Sequence, residues 1–388
     1  MSLTPTNEQR ELVDAISHIC EDFDDNYWLN HDSTGEFPED FVSALATNGW
    51  LGIAMPEKYG GAGLGVTEAA LMMKTIVASG GGFTAASSLH VNIWGGQPIA
   101  VFGTDDQRTR MLPKLISGED RACFGVTEPN AGLDTGAIET RAEWNGKDYI
   151  VSGQKHWTSL AQRANKIMLL ARTSPVVEGI KSTEGLSLFY TDLDESYIDI
   201  HEIDKMGRKA VDSNAVFIDG LKIPREDLIG EEGKGFQCIL HGLNPERILI
   251  GAEAIGLGRA ALSKATAYAR DRYVFGRPIG KNQSIQHPLA EAWMQLEAAD
   301  LMVSKAAYLY DSGDACGAEA NAGKYLAAEA AHKACERAVL TLGGMGYARE
   351  YHVERYLRES YIPRIAPVSR EMILNFISER VLNLPRSY

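Results

Sequence analysis

The sequence predicts an α+β fold in three parts: an N-terminal helical domain, a middle antiparallel β domain and a C-terminal four-helix bundle. Three observations predict this order. Apolar residues recur at helix spacing in the first part, short β-type runs fill residues 123–230, and long alanine-rich segments follow residue 235. We place the domain boundaries at residues 1–120, 121–232 and 233–388.

The first part carries the helical pattern of one buried face. Leu12, Ile16 and Ile19 recur at helix spacing, and an apolar segment at residues 69–78 continues the helical character. Three consecutive glycines at residues 80–82 interrupt that segment. Several amphipathic helices in a row need a shared core, so this region is expected to form a helical domain.

The middle part changes to short runs of β-favouring residues. The runs at residues 149–153, 166–170, 186–190 and 215–218 are each bounded by Gly, Asp, Asn or Pro. No helical pattern separates them, so an antiparallel sandwich or barrel is expected rather than βαβ units.

The last part returns to helices. The segments at residues 251–272, 289–310 and 318–342 are too long and too apolar to be stable alone, which predicts a bundle. Pro245 precedes the first of them and suits the first position of a helix, so a helix is expected to begin there.

Composition limits the function. The chain has 388 residues and a formal net charge of −14, which argues against nucleic acid and against an anionic membrane surface. No apolar run approaches the roughly 20 residues of a membrane span, and no signal or transit pattern is visible, so we expect a cytoplasmic protein. The five cysteines are scattered without a CxxC pair, which disfavours a disulfide framework or a zinc site.

Two segments of the middle part could line a ligand. Residues 123–134 combine small residues with a proline turn that leaves backbone N–H groups free, although a simple strand end would look the same. Residues 153–159 follow, where Trp157 offers an aromatic wall beside the hydroxyls of Thr158 and Ser159. A tryptophan at a strand end is also a common core residue.

Two further segments lie among the C-terminal helices. In residues 272–279 an arginine stands beside aromatic residues, which suits a pyrophosphate or ring system, or else a solvated helix cap. Residues 342–347 hold three glycines after a helix, which permits close backbone approach to a phosphate but also describes a helix C-cap. The spacing is not GxGxxG after a strand, so a Rossmann site is excluded.

Taken in order, the four segments resemble the acyl-CoA dehydrogenase family. The matching patterns are Thr-Glu-Pro-x-Ala-Gly from residue 127, Gly-x-Lys-x-Trp from residue 153, Arg-x-x-Phe-Gly-x-Pro-Ile from residue 272 and Gly-Gly-x-Gly-Tyr from residue 343. With weaker matches between them, the resemblance extends over residues 50–379.

The resemblance implies FAD, an acyl-CoA substrate and an electron-transferring flavoprotein as partner. It implies a homotetramer, in which the cofactor site is shared between subunits. The residues that it assigns to the cofactor are Phe124, Val126, Thr127, Trp157, Thr158, Ser159, Arg272, Phe275, Gln283, Gly343, Gly344 and Ser369.

The reaction of this family needs a carboxylate base for the α-proton. Most members carry it in a late loop, where this chain has Pro367, which cannot act as a base. A second group, resembling isovaleryl-CoA and long-chain acyl-CoA dehydrogenases, carries it in a Leu-x-x-Glu-Arg pattern, which is present at residues 243–247. Glu246 is therefore the candidate base. The alternative is an acidic residue that merely favours a helix start.

The chain departs from the family pattern near the substrate. The residues expected to contact substrate are Leu133, Arg247, Ala366 and Pro367. Leu133 replaces the usual serine, and Pro367 lacks the backbone N–H that would contact the thioester oxygen. Ala366 replaces a tyrosine and favours a branched or bulky acyl group.

Three functions remain open from the sequence. The first is a dehydrogenase of fatty or branched-chain acyl degradation that passes electrons to a flavoprotein. The second is an oxidase or flavin monooxygenase of the same fold. The third is a catalytically silent partner subunit of a hetero-oligomer, which Pro367 and Leu340 suggest, because Leu340 replaces a glutamine that often contacts the neighbouring FAD.

Overall fold

The computed structural model describes residues 5–387. The described chain begins with seven α-helices: α1 (Asn7–Glu21), α2 (Asp25–Thr34), α3 (Glu39–Thr47), α4 (Val66–Ile76), α5 (Gly82–Gly95), α6 (Gln97–Phe102) and α7 (Asp105–Ser117). A capping box between Thr6 and Gln9 starts α1, whose buried face includes Leu12 and Ile16. The predicted N-terminal helical domain is therefore confirmed.

The three consecutive glycines set the start of α5. A π-helical turn at Val77–Gly81 ends α4, and Gly80 has a φ of 116°, which favours glycine. Oε2 of the buried Glu359 accepts a hydrogen bond of 2.6 Å from the backbone N–H of Phe83. A Cβ at Gly82 would lie 2.4 Å from the same oxygen, so the approach requires glycine. The C-terminal part of the chain thus fixes where α5 begins.

The middle part forms one eight-stranded sheet. Its strands are β1 (Ala122–Gly125), β2 (Arg141–Trp144), β3 (Asp148–Ser159), β4 (Lys166–Arg172), β5 (Leu186–Asp192), β6 (Ile198–Glu202), β7 (Ser213–Pro224) and β8 (Leu228–Ile229). Seven of them follow the order β6-β7-β3-β2-β4-β5-β8, and β1 pairs with β4.

The predicted antiparallel β domain is present, but its sheet also contains parallel pairings. β1 pairs with β4 in parallel, and β2 meets β4 in parallel at Arg141 and Arg172. Parallel strands need a long crossover, and the loop after β1 together with the β2–β3 hairpin supplies it. The sheet is mixed, and the parallel β1 brings the end of the first candidate segment beside β3.

Three long helices dominate the C-terminal part: α8 (Gly235–Asp271), α9 (Gln283–Asp311) and α10 (Gly317–Leu342). A short hairpin of β9 (Tyr273–Val274) and β10 (Arg277–Pro278) joins α8 to α9. The chain then forms three short helices, α11 (Val353–Glu359), α12 (Ile362–Ile365) and α13 (Arg370–Phe376). The C-terminal helical domain thus consists of three long helices followed by short ones.

The predicted start of the first long helix at Pro245 is wrong. α8 begins at Gly235 and runs through Pro245. Gly235 lies so close to β5 that a Cβ there would be 2.3 Å from the backbone nitrogen of Leu188. Packing against the sheet and neighbouring helices offsets the usual cost of an interior proline, which is about 3 kcal/mol. Glu246 consequently lies inside a helix and not in its first turn.

Small residues let the long helices approach closely. A Cβ at Gly258 of α8 would lie 2.5 Å from the side chain of Leu296 on α9 and 3.1 Å from the Cα of Ala331 on α10. The strands of the sheet contribute a separate hydrophobic core, in which Val151, Leu169 and Phe189 are fully buried. Within the described residues, no helix is long and apolar enough to cross a membrane.

Candidate functional site

The first two candidate segments lie side by side at one end of the sheet. The backbone N–H of His156 on β3 donates to the carbonyl oxygen of Thr127 at 2.8 Å. Phe124, Val126 and Thr127 are half-buried at the end of β1. The structure thus brings together two segments that lie about thirty residues apart in the chain.

A buried ion pair joins the same two segments. Lys155 is fully buried, and its Nζ lies 2.8 Å from Oε1 of Glu128. Burial raises the pKa of Glu128, but Lys155 and the backbone N–H groups of Glu139 and Thr140 outweigh burial and hold the pKa below its ordinary value. Burial lowers the pKa of Lys155 to about 8, so the pair is charged at neutral pH. Sequence reasoning missed this pair, although both residues belong to the quoted motifs.

An irregularity in β3 turns Trp157 outward. The pairing of β3 with β7 shifts register between Val151 and Ser152 and again between Lys155 and Thr158, where β3 carries one extra residue. Trp157 has a φ of 61° and is 55% exposed, so its ring faces solvent instead of the core. The alternative of a core tryptophan is therefore excluded.

The polar groups around Trp157 suit a heteroaromatic ring. The hydroxyl of Thr158 is buried and has no hydrogen-bond partner among residues 5–387, and the same holds for Nδ1 of His156. Unpaired buried polar groups are costly and usually have a ligand or water as partner. An exposed indole beside unpaired donors and acceptors fits an isoalloxazine ring, with Ser159 half-buried nearby.

Glu246 lies on the stripe of α8 that faces α5. It is half-buried, and no hydrogen bond or ion pair to another described residue holds its carboxylate. Burial raises the pKa of Glu246, and the positive charges of His90 and Arg247 oppose that shift. The guanidinium of Arg247 donates to Oδ1 of Asn244 at 3.0 Å, while its Nε is buried and has no partner in the described chain.

The late loop is held by a lysine that sequence reasoning missed. Lys324 of α10 is almost fully buried, and its Nζ donates to the carbonyl oxygen of Val368 at 2.6 Å. The hydroxyl of Ser369 caps α13 by accepting from the N–H of Met372. Pro367 is half-buried and Ala366 is exposed. A charged residue within an alanine-rich helix was the available signal.

The remaining predicted cofactor residues lie apart from this site. Arg272, Phe275 and Gln283 are exposed on and after the β9–β10 hairpin, and Phe275 is 99% exposed. Gly343 and Gly344 are exposed after α10, and a Cβ at either would meet only open space. Within residues 5–387, no hydrogen bond links these segments to β1 or β3. Leu133 and Leu340 are also exposed.

Family models match the chain along most of its length. The acyl-CoA dehydrogenase N-terminal domain matches residues 6–119, the middle domain residues 123–221 and the C-terminal domain residues 233–382. The matched order is the order of helices, sheet and helices in the structure.

Known proteins are similar over the same length. Acyl-CoA dehydrogenase FadE12 of Mycobacterium tuberculosis is 37% identical over 392 residues, covering 100% of this chain and 99% of that protein. The caffeyl-CoA reductase-Etf complex subunit CarC of Acetobacterium woodii is 31% identical over 329 residues, covering 84% and 86%. The structure of butyryl-CoA dehydrogenase from Megasphaera elsdenii has a TM-score of 0.93 at 29% identity, covering 98% of this chain and 100% of that one.

Proposed function

Because this chain belongs to the acyl-CoA dehydrogenase family, we propose that it dehydrogenates an acyl-CoA thioester to the trans-2-enoyl-CoA with Glu246 as base. Family membership also makes the chain an oxidoreductase with FAD as its cofactor. Bound FAD supplies the acceptor for the hydride that leaves the β-carbon.

The state of Glu246 carries the proposal. A base needs a carboxylate that is not already committed to a partner and whose proton affinity is increased by burial. Glu246 meets both conditions within the described chain, and its position inside α8 leaves burial, not the helix terminus, as the main cause of its raised pKa. The late loop supplies no carboxylate at Pro367.

The chain's own residues account for the proton step. The α-carbon–hydrogen bond breaks, the proton joins a carboxylate oxygen of Glu246, and the electron pair becomes the α,β double bond as hydride leaves the β-carbon. Burial of Glu246 on α8 raises the basicity of its carboxylate. Pro367 cannot donate a hydrogen bond to the thioester oxygen, because it has no N–H.

We assign the remaining site residues as the sequence suggested. Trp157, Thr158 and Ser159 face the cofactor from β3, and Phe124, Val126 and Thr127 face it from β1. Arg247, Leu133, Ala366 and Pro367 lie toward the substrate. Arg272, Phe275, Gln283, Gly343 and Gly344 reach the cofactor of a neighbouring copy, which is why they are exposed in one chain. This assignment requires an oligomer, and we propose a homotetramer.

We propose an electron-transferring flavoprotein as the acceptor. The Acetobacterium woodii relative, 31% identical to this chain, is a subunit of a caffeyl-CoA reductase-Etf complex, which supports this proposal. The reaction would serve the degradation of a fatty or branched acyl group in the cytoplasm, as the sequence suggested.

The test is anaerobic mixing of purified holoenzyme with butyryl-CoA, isovaleryl-CoA and cyclohexane-1-carbonyl-CoA. We expect flavin bleaching with at least one thioester, followed by rapid reoxidation by an electron-transferring flavoprotein and slow reoxidation by air. Rapid reoxidation in air would favour the oxidase alternative. A protein that binds FAD but is bleached by no acyl-CoA would favour the silent-subunit alternative. A chain that cannot bind FAD would overturn both the proposed dehydrogenase and the silent FAD-binding subunit.

A further inference from the structure

Two hydrogen bonds between α5 and α8 lie on either side of Glu246. Nε1 of Trp94 donates to the carbonyl oxygen of Gly242 at 3.0 Å, and Nδ1 of His90 lies 2.7 Å from Oε1 of Glu253. Positions 242, 246 and 253 recur at spacings of four and seven, so they lie on one face of α8. The stripe that meets α5 therefore places Glu246 between the two contacts.

The His90–Glu253 pair is buried, and only one of the two ring nitrogens of His90 has a hydrogen-bond partner in the described chain. The side chain of Glu253 is 1% exposed and that of His90 is 13% exposed. A carboxylate oxygen can only accept, so the ring donates to it from Nδ1. The other ring nitrogen, Nε2, is buried and has no hydrogen-bond partner among residues 5–387. A buried ring nitrogen without a partner, next to the face of α8 that carries Glu246 and Glu253, needs an explanation.

The charges around the pair come from four elements. Glu246 is met by His90 from α5, by Lys324 from α10, and by Arg247 and Glu253 from α8 itself. His90 is met by Glu253, by Glu246 and by Arg208, which precedes β7 and donates to Ser87 on α5.

Their balance favours the protonated form of His90. Burial lowers the pKa of His90, but Glu253 and Glu246 outweigh burial and leave the pKa above its ordinary value. A positive ring beside Glu246 reduces the cost of an ionised carboxylate in a desolvated site.

We propose that His90, held and charged by Glu253, is a positioning residue that keeps Glu246 ionised and ready to take the α-proton. The inference rests on the proposed function, in which Glu246 is the base. Glu253 fixes the orientation of the ring through Nδ1, and the positive charge of the ring favours the ionised form of Glu246. Burial makes Glu246 a stronger base, but burial alone would also favour its protonated form before substrate binds. The charge of His90 opposes that protonation.

The proposal is tested by the pH profile of α-proton exchange. Holoenzyme is incubated in D2O with butyryl-CoA, isovaleryl-CoA or cyclohexane-1-carbonyl-CoA, and deuterium at the α-carbon is measured by mass spectrometry. This measurement follows the proton step independently of turnover. The variants are His90→Gln, the double variant His90→Gln/Glu253→Gln, and Glu246→Gln. His332→Gln is the matched control. His332 lies on α10, and its ring contacts Ser360 and Tyr361 instead of Glu253.

We expect His90→Gln to move the acidic limb of the profile to higher pH. A close opposite charge commonly shifts a carboxyl pKa by about one unit or more, so exchange on that limb should fall about tenfold. The double variant should recover part of the shift, because Glu253 without His90 is an unpaired negative charge that also opposes ionisation of Glu246. The His332→Gln profile should match that of the wild type.

Three results would overturn the proposal, and they are distinguishable. If His90→Gln lowers exchange equally at every pH, the pair is only structural and the proposed base still stands. If the double variant shifts the limb further than His90→Gln does, Glu253 does not act through His90. If Glu246→Gln exchanges the α-proton at the wild-type rate, the proposed base fails and this inference fails with it.

Discussion

The buried ammonium of Lys324 donates a hydrogen bond to the carbonyl oxygen of Val368 across 2.6 Å. This contact ties α10 to the loop that contains Pro367, on the side of the bundle that also carries Glu246. Burial and the charge of Arg247 lower the pKa of Lys324 to about 8, while Glu246 raises it in part. Lys324 therefore links Glu246 electrostatically to the loop that contains Pro367.

Replacing Glu246 should remove the chemistry and leave the protein intact. Glutamine keeps the shape of the side chain but cannot accept a proton, and loss of a positioned base typically costs about 10²–10⁴-fold in rate. We expect Glu246→Gln to retain FAD and to lose α-proton exchange by that factor. Glu371→Gln is the control, because Glu371 is a largely exposed carboxylate that pairs with Arg370 on α13. If Glu371→Gln is the slower variant, the base lies in the late loop.

Replacing Lys324 should change the pH dependence of stability. The pKa of Lys324 in the folded protein, about 8, lies below that of an unfolded lysine, about 10.4, so the unfolded chain binds its proton more tightly. The cost of the buried ammonium is fully present below pH 8 and disappears as the pH rises toward the unfolded value.

The wild type should accordingly gain stability relative to Lys324→Met between pH 7 and pH 10, by up to about 3 kcal/mol. Denaturant unfolding of both proteins at the two pH values measures this difference. Lys305→Met, at a half-exposed lysine paired with Glu319, is the matched control. A constant difference for Lys324→Met would mean that its ammonium is well solvated.

Breaking the Lys155–Glu128 pair should destabilise the cofactor end of the sheet. Lys155→Met leaves the carboxylate of Glu128 buried without its partner, and removal of one member of a buried pair typically costs about 3–5 kcal/mol. We expect a lower unfolding midpoint and weaker FAD retention, with partial recovery in Lys155→Met/Glu128→Gln. Lys147→Met, in the exposed turn between β2 and β3, is the control. Equal midpoints for Lys155→Met and Lys147→Met would contradict a structural role for the pair.

Arg272 should connect cofactor binding to assembly. It is exposed in one chain, beside the fully exposed Phe275, and an arginine is suited to bind a pyrophosphate. We expect Arg272→Ala to lose FAD or to form a smaller assembly, as measured by flavin absorbance and light scattering. Arg277→Ala is the matched control, because its guanidinium donates to Oδ1 of Asn282, the residue before α9. If Arg272→Ala keeps both its FAD and its size, Arg272 is only a solvated helix cap.

Patterns of short range were predictable because their cause is local. The spacing of apolar residues, the glycines that interrupt helices and the change to short β-type runs predict the order of helices, sheet and helices. Each signal depends only on residues that are close together in the sequence. The motif at residues 153–159 indicates Trp157 as a possible aromatic wall from local composition alone. These predictions needed no knowledge of which segments meet.

Features that join distant segments could not be predicted in this way. The local signal of Pro245 indicated a helix start, but packing of Gly235 against β5 extends α8 through the proline. The parallel pairing of β1 with β4 joins strands about forty residues apart, and local sequence patterns do not predict which distant strands pair.

The sequence by itself determined the order of the elements, and it singled out the proposed cofactor segments and the candidate base Glu246. Tertiary structure alone decided what surrounds that base: His90 comes from 156 positions earlier in the chain and Lys324 from 78 positions later, as the residue numbers show. The physical reason is that the ionisation of a buried carboxylate depends on desolvation and on charges within a few ångströms, and folding, not sequence separation, brings those charges together.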